Sequence, residues 1–163
     1  MNRGFRIIAD YIFGNNARVG SSQLQGVVSS IGNLETIEAG GEGASEKIAM
    51  TAPVLSEKRD ANDSEKDRYN ISFVMPSKYS IEALPVPRDE RVRLREVKKR
   101  ISAAVRFSGY ATEDQVQTKY RQLRQMLAED EVSVHPGYQV AQYNPPWTPP
   151  FMRRNEVLID VAS

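Results

Sequence analysis

The sequence predicts an α+β fold, in which a curved antiparallel sheet or distorted β-barrel carries two helices on its outside. Two segments have apolar residues at helical spacing, and several short segments alternate apolar and polar residues as strands do. The order strand, helix, strand, strand fills the second half of the chain, and helix, strand, strand fills the first. Two such βαββ repeats normally pair their strands into one sheet or barrel.

The first half contains one helix, one long insertion and two strands. Phe5, Ile8 and Ile12 recur at helical spacing, and Gly14 follows them as a stop signal. This pattern predicts a helix over Phe5–Phe13. Residues 17–46 are rich in Gly, Ser and Asn. A connection of this length is unusual inside a compact domain, so we expect a flexible insertion. The two strands predicted after it are Lys47–Val54 and Tyr69–Met75.

The second half supplies the complete repeat. A capping box at Thr112 and Gln115 begins the second helix, Thr112–Ala128. The predicted strands are Val92–Val97, Ile101–Phe107, Gln139–Tyr143 and Glu156–Val161. By comparison, the first repeat lacks its leading strand. Either the coding start lies further upstream, or the sheet has an open edge through which chains associate.

Composition excludes several classes of function. A formal net charge of +1 gives no global field for nucleic acid, and the lack of cysteine excludes disulfides and thiolate metal sites. No apolar run is long enough to span a membrane, and the first residues do not form a signal-peptide core. We expect one domain over residues 1–163, a cytoplasmic location and a monomer, with association only through the open sheet edge.

A proline-rich segment near the carboxyl end carries most of the functional information. Residues 144–157 read NPPWTPPFMRRNEV, so four prolines surround the only tryptophan. Proline fixes φ and removes a donor, which predicts a stiff extended loop. Such a loop could present Trp147, Phe151 and Met152 to a flat, apolar, anionic molecule, with Arg153 and Arg154 beside them. Alternatively, the aromatic residues pin the loop to its own core and the arginines bind carbonyl groups.

Five stretches, in this order, closely resemble the SOUL haem-binding protein family. They are GFRIIADYIFGN at 4–15, KIAMTAPV at 47–54, FVMP at 73–76, RFSG at 106–109 and NPPWTPPFMRRNEV at 144–157. The resemblance implies a distorted barrel of two βαββ halves, similar also to bacterial effector-binding domains. It also implies a tetrapyrrole ligand, haem or another porphyrin, on an open surface between the first helix and the loop Pro145–Asn155.

The resemblance gives these residues specific roles. The apolar cover of the macrocycle would come from Ile8, Ile12, Trp147, Phe151 and Met152. Asp10 and Thr148 stand where animal members of the family have basic residues, which leaves Arg153 and Arg154, together with Arg3 and Arg6, to meet the propionates. The expected function is a reversible carrier or buffer, which needs no turnover. The alternatives are a tetrapyrrole-modifying enzyme such as a metal dechelatase, with Asp10 or Tyr11 as proton donor, and an effector-binding or interaction module.

His135 is the only histidine and therefore the one candidate for an axial iron ligand. It lies in the turn Val134-His135-Pro136-Gly137, outside the family motifs, where a histidine is usually solvated. The sequence has no Gly-x-Ser-x-Gly elbow, no metal-binding histidine pair and no phosphate-binding glycine loop, so we assign no catalytic residue and no metal site.

Overall fold

The computed structural model describes residues 3–18, 44–58 and 69–162. In chain order, its elements are α1 (Arg3–Ile12), β1 (Asn16–Ala17), β2 (Val54–Lys58), β3 (Tyr69–Phe73), a 3-10 turn (Ile81–Ala83), β4 (Val86–Pro87), β5 (Ser102–Phe107), α2 (Glu113–Glu129), β6 (Gln139–Gln142), a second 3-10 turn (Pro150–Met152) and β7 (Asn155–Asp160). The chain divides into two compact units: Met1–Met50 with Met75–Glu96, and Thr51–Val74 with Val97–Ser163.

The first unit is built on α1, which confirms the first predicted helix. Ala9, Tyr11 and Ile12 form its buried face, and it ends before Gly14, whose φ of 123° is accessible mainly to glycine. The strands β1 and β4 pair antiparallel as a small two-stranded sheet in the same unit.

A buried asparagine joins the two described ends of the predicted insertion. The Asn16 side chain donates to the carbonyl oxygens of Tyr11 (2.7 Å) and Glu46 (2.8 Å) and accepts from the Glu46 amide (2.9 Å). The Arg18 amide also donates to the Ala44 carbonyl at 3.2 Å. The two described ends on either side of residues 19–43 therefore lie next to each other. Residues 19–43, most of the insertion predicted at 17–46, lie outside the described residues.

The second unit contains a five-stranded antiparallel sheet in the order β3-β2-β6-β7-β5. The hairpins β2–β3 and β6–β7 meet at the central β2–β6 pair, with Ser56 opposite Val140. The predicted α+β fold with two helices and an antiparallel sheet is confirmed; of its two predicted forms, the described strands have the sheet and not the closed barrel. They form an open sheet with β3 and β5 at its edges, because neither edge strand pairs with another strand there.

The helix α2 packs on one face of this sheet, as predicted. Its side chains at helical spacing, Val116, Leu123 and Leu127, are buried against apolar residues of the sheet. The sheet residues are Phe107, Val140, Val157 and Ile159. Thr112 caps the helix, with its hydroxyl oxygen accepting from the Gln115 amide. This packing positions the ends of β5, β6 and β7, which carry the loops described below.

Two predicted strands are wrong. Residues 47–53 have no regular structure and the strand begins only at Val54, because Pro53 offers no amide donor and the Ile48 amide donates to Ile12 at the end of α1. Residues 92–97 also form no strand, although Val92 and Leu94 are half-buried between exposed arginines. In the residues that the structure describes, no helix is long and apolar enough to cross a bilayer.

Candidate functional site

The proline loop, residues 144–154, joins β6 to β7 and is held by its own backbone. The amides of Thr148 and Met152 donate to the carbonyls of Pro145 and Pro149, each at 3.0 Å. The Gly109 amide, beyond the end of β5, donates to the Pro150 carbonyl at 2.8 Å. The loop is thus a sequence of tight turns attached to the neighbouring strand, in agreement with its proline content.

Arg153 stabilises the proline loop by hydrogen bonds to the loop's own backbone. Its Nε donates to the Thr148 carbonyl at 2.8 Å and its Nη2 to the Pro146 carbonyl at 2.5 Å. Its guanidinium also lies 4.6 Å from the centroid of the Tyr110 ring, within the range of a cation–π interaction. Arg153 therefore holds the segment on both sides of Trp147 in one conformation.

Arg154 belongs to a second, more buried network. Its Nε and Nη2 donate to the same Glu156 oxygen at 2.8 and 2.5 Å, and the Tyr143 hydroxyl donates to the other carboxylate oxygen at 2.7 Å. Burial raises the pKa of Glu156, but the hydrogen bonds from Tyr143 and Arg154 outweigh it, so the pKa lies below its ordinary value. The carboxylate stays charged at neutral pH and fixes the start of β7.

Two asparagines close the base of the proline loop. Asn144 accepts from the Arg154 amide at 2.6 Å, and the buried Asn155 donates its side-chain amide to the Gly109 carbonyl at 3.1 Å. Gly109 adopts φ 91°, a conformation that favours glycine. The last residue of RFSG is therefore hydrogen-bonded to the proline segment, so the two motifs form one structural unit.

Three large apolar side chains project from this fixed backbone into solvent. Trp147, Phe151 and Met152 are 83%, 79% and 62% exposed. The interpretation in which the aromatic residues pin the loop to its own core is therefore wrong, while the arginines do bind carbonyl and carboxylate groups. Exposed aromatic residues on an ordered loop are typical of a binding surface.

Comparison with protein families agrees with this geometry. The family model described as SOUL heme-binding protein matches residues 32–160, which is more than half of the chain. The chain belongs to the SOUL family. The match includes RFSG and the whole proline loop, whereas α1 lies before it. A search of curated proteins gives no match.

The first unit of this SOUL chain holds the other predicted ligand residues. Ile8 is half-buried and Ile12 is fully buried on α1, and their contact with a macrocycle stays a prediction. Asp10 is exposed. Tyr11 is buried and donates its hydroxyl to the Pro85 carbonyl at 2.8 Å. Burial, with the nearby charge of Glu46, raises the pKa of Tyr11 to about 12, so this phenol holds its proton firmly.

His135 lies in an exposed turn whose backbone amide donates to the Asp160 carbonyl at 2.8 Å. Throughout the described ranges, no three His, Asp or Glu side chains come together as a possible metal site.

A groove beside the proline loop was missed by the sequence analysis. It has a volume of about 530 Å³ and lies between the end of β5 and the first turns of α2. Its lining residues come from two separate segments of the chain, which meet because α2 packs on β5. The RFSG motif was the available signal, since Arg106 is its first residue.

Proposed function

We propose that this SOUL chain binds a tetrapyrrole, haem or a related porphyrin, reversibly on the apolar surface of the proline loop. One observation carries the proposal: Trp147, Phe151 and Met152 are exposed on a backbone that Arg153 and Gly109 hold in place. A flat macrocycle can cover such side chains without any rearrangement of the loop. Membership of the heme-binding family supports the class of ligand.

The size of the surface supports carriage rather than permanent retention. Each large aromatic side chain has roughly 150–250 Å² of surface. Covering half of it contributes about 2–3 kcal/mol at roughly 25 cal/mol per Å². Two rings, with a comparable contribution from the ligand face, give about 8–12 kcal/mol against an association cost of about 4–15 kcal/mol. The net affinity is therefore modest, as a carrier or buffer requires.

Binding through apolar faces needs no iron ligand. His135 lies in an exposed turn and is hydrogen-bonded through its backbone to Asp160. We therefore expect porphyrins with and without a central metal to bind with similar affinity, because the contacts are with the ring and its carboxylates.

The test is a Soret titration of haem against variants of the loop and the turn. Trp147→Ala should weaken binding by at least tenfold, since about 2–3 kcal/mol of apolar contact is lost. His135→Ala should change the haem affinity by less than twofold.

Ile101→Ala is a matched control, because Ile101 is also apolar and 72% exposed. It precedes β5 at the end opposite the proline loop, roughly 20 Å from Phe107 at about 3.3 Å per residue. Equal losses in all three variants, or a larger loss in His135→Ala, would contradict the site.

A further inference from the structure

The proline loop contains two consecutive turns with the same sequence pattern. Residues 145–148 read PPWT and residues 149–152 read PPFM, so each turn begins with two prolines and an aromatic residue. In each turn, the amide of the fourth residue donates to the carbonyl of the first at 3.0 Å. Proline at the second position has the φ that such a turn requires. We call residues 145–152 the tandem turns.

The third position of each turn is an aromatic residue at the outer corner. The second and third residues of a turn lie opposite the hydrogen bond that closes it. Trp147 and Phe151 hold the third positions, and they are the two most exposed large apolar side chains among the described residues. Met152, the last residue of the second turn, is also exposed. The tandem turns therefore present apolar side chains on a backbone whose conformation is already fixed.

Much of the backbone polarity of the tandem turns is satisfied within the protein. Four of the eight residues are prolines, which have no amide hydrogen. All four proline carbonyls accept a hydrogen bond, from loop amides, from the Gly109 amide or from the Arg153 side chain. The Thr148 carbonyl also accepts from Arg153. An unpaired backbone group is strongly unfavourable in the apolar part of a bilayer, so this pairing suits the turns to contact with lipid.

The tandem turns have no charged side chain that would have to leave water. Residues 145–152 include no Asp, Glu, Lys or Arg. Of the two arginines that follow, Arg153 donates to loop carbonyls and Arg154 donates to Glu156. Moving a charge into a bilayer is costly, and here no such cost opposes insertion of the two rings.

The size of the apolar surface favours lipid over a protein partner. Each ring has roughly 150–250 Å² of surface, and about four fifths of it is exposed. The two rings together expose roughly 240–400 Å², whereas one side of a stable protein–protein interface buries about 800 Å². A bilayer needs no complementary shape, and the strength of its binding increases with the apolar area inserted.

We propose that the tandem turns dock on a lipid bilayer, with Trp147 and Phe151 inserted where the headgroups meet the acyl chains. Tryptophan is enriched at this depth in membrane proteins, and surface-bound segments place Trp and Phe there. The inference goes beyond the proposed function and does not depend on it. Both uses need the same two rings, so a bound macrocycle and a bilayer exclude each other at this surface. A carrier that docks in this way meets an apolar ligand in the membrane where it dissolves.

The test uses phosphatidylcholine vesicles without porphyrin and the emission of Trp147, the only tryptophan. Adding vesicles should shift the emission to shorter wavelength, because the indole leaves water. Lipids brominated near the glycerol end of the acyl chain should quench it more than lipids brominated near the chain end, since insertion is shallow, about 5–10 Å. The shift should persist at about 1 M salt, where the Debye length is about 3 Å, because the inserted surface is uncharged.

Two variants locate the inserted surface. Phe151→Ala should lower the vesicle partition constant about tenfold, while Trp147 remains as the reporter. Ile101→Ala is the matched control, because Ile101 is also apolar and exposed but precedes β5 at the end opposite the proline loop. It should leave the partition constant unchanged. Equal losses in the two variants, or no shift with vesicles, would overturn the inference.

Two other results would also overturn it and would identify a different occupant. A shift that needs anionic lipids and disappears in high salt would mean that cations outside the tandem turns bind the headgroups. A shift that grows with protein concentration in the absence of vesicles would mean that a second copy of the chain covers the turns. Vesicle binding without haem binding would leave this inference and remove the proposed function, and haem binding without vesicle binding would do the reverse.

Discussion

Replacing Arg153 should loosen the proline loop while leaving the sheet intact. The guanidinium bonds the carbonyls of Pro146 and Thr148, on the two sides of Trp147, and lies over the Tyr110 ring. Arg153→Ala removes all three contacts. Arg153→Lys keeps the charge but cannot match the fork, because a lysine ammonium does not present two parallel donors.

The expected magnitude follows from these contacts. One hydrogen bond is half-buried and the other exposed, so together they contribute about 1.5–3 kcal/mol. The exposed cation–π contact adds about 0.5–1 kcal/mol. A loss of about 2 kcal/mol increases the population of open loop roughly 30-fold. The midpoint of thermal unfolding should change little, because the opening is local.

The assay uses the tryptophan itself. Trp147 is the only tryptophan, so the time-resolved fluorescence anisotropy of the whole protein reports on this loop alone. Arg153→Ala should increase the amplitude of the fast depolarisation, with Arg153→Lys between it and the unmodified protein. If the decay of Arg153→Ala equals that of the unmodified protein, the prolines alone order the loop and the reasoning from the guanidinium is wrong.

Three further predictions concern buried polar groups. Asn16→Ala should lower the free energy of unfolding of the first unit by about 2–4 kcal/mol, since one buried and two part-buried hydrogen bonds are lost; a urea midpoint equal to that of the unmodified protein would contradict this. The folded pKa of Glu156 is lowered, so its stabilisation is present at neutral pH and is lost in acid, as the pH falls through the folded pKa. Glu156→Gln should therefore flatten the acid limb of the stability profile, and an unchanged slope would count against the network. Tyr11 should ionise only near pH 12 in an ultraviolet titration of the seven tyrosines, and Tyr11→Phe should remove that late component and no other.

Local signals predicted the second half of the fold well. The capping box at Thr112 gave the start of α2 to within one residue, and alternation gave β5, β6 and β7 with similar accuracy. These segments combine a pattern with a punctuating residue at each end. Both are encoded within a few residues, so no distant partner needs to be known.

The two false strands show what alternation does not encode. Ile48 is buried, but Met50 is 49% exposed, and the Ile48 amide bonds the end of a helix instead of a strand. In residues 92–97, Val92 and Leu94 are less exposed than the arginines beside them, yet no described strand pairs with this stretch. Alternation predicts which way side chains face, whereas a strand also requires a hydrogen-bonding neighbour, which the local sequence does not specify.

The candidate site was predicted in part for the same reason. The composition of the loop predicted a stiff backbone, because prolines stiffen a chain wherever they occur, but it left open whether Trp147 and Phe151 face solvent or the core. The hydrogen-bond partners of Arg153 and Arg154 depend on which carbonyls and carboxylates the turns bring close to them. That geometry is set by the whole loop. The groove between β5 and α2 depends on how the helix lies on the strand, so it became visible only in three dimensions.

The hydrogen bonds that join Asn16 to Glu46 and Arg18 to Ala44 hold residues 16–18 beside residues 44–46. A segment grafted between these two points would start and end at adjoining positions of the unit. For a flexible graft, each doubling of its length would add only about 0.6 kcal/mol of closure entropy. The junction therefore suits a peptide tag or a small guest domain whose own termini lie close together.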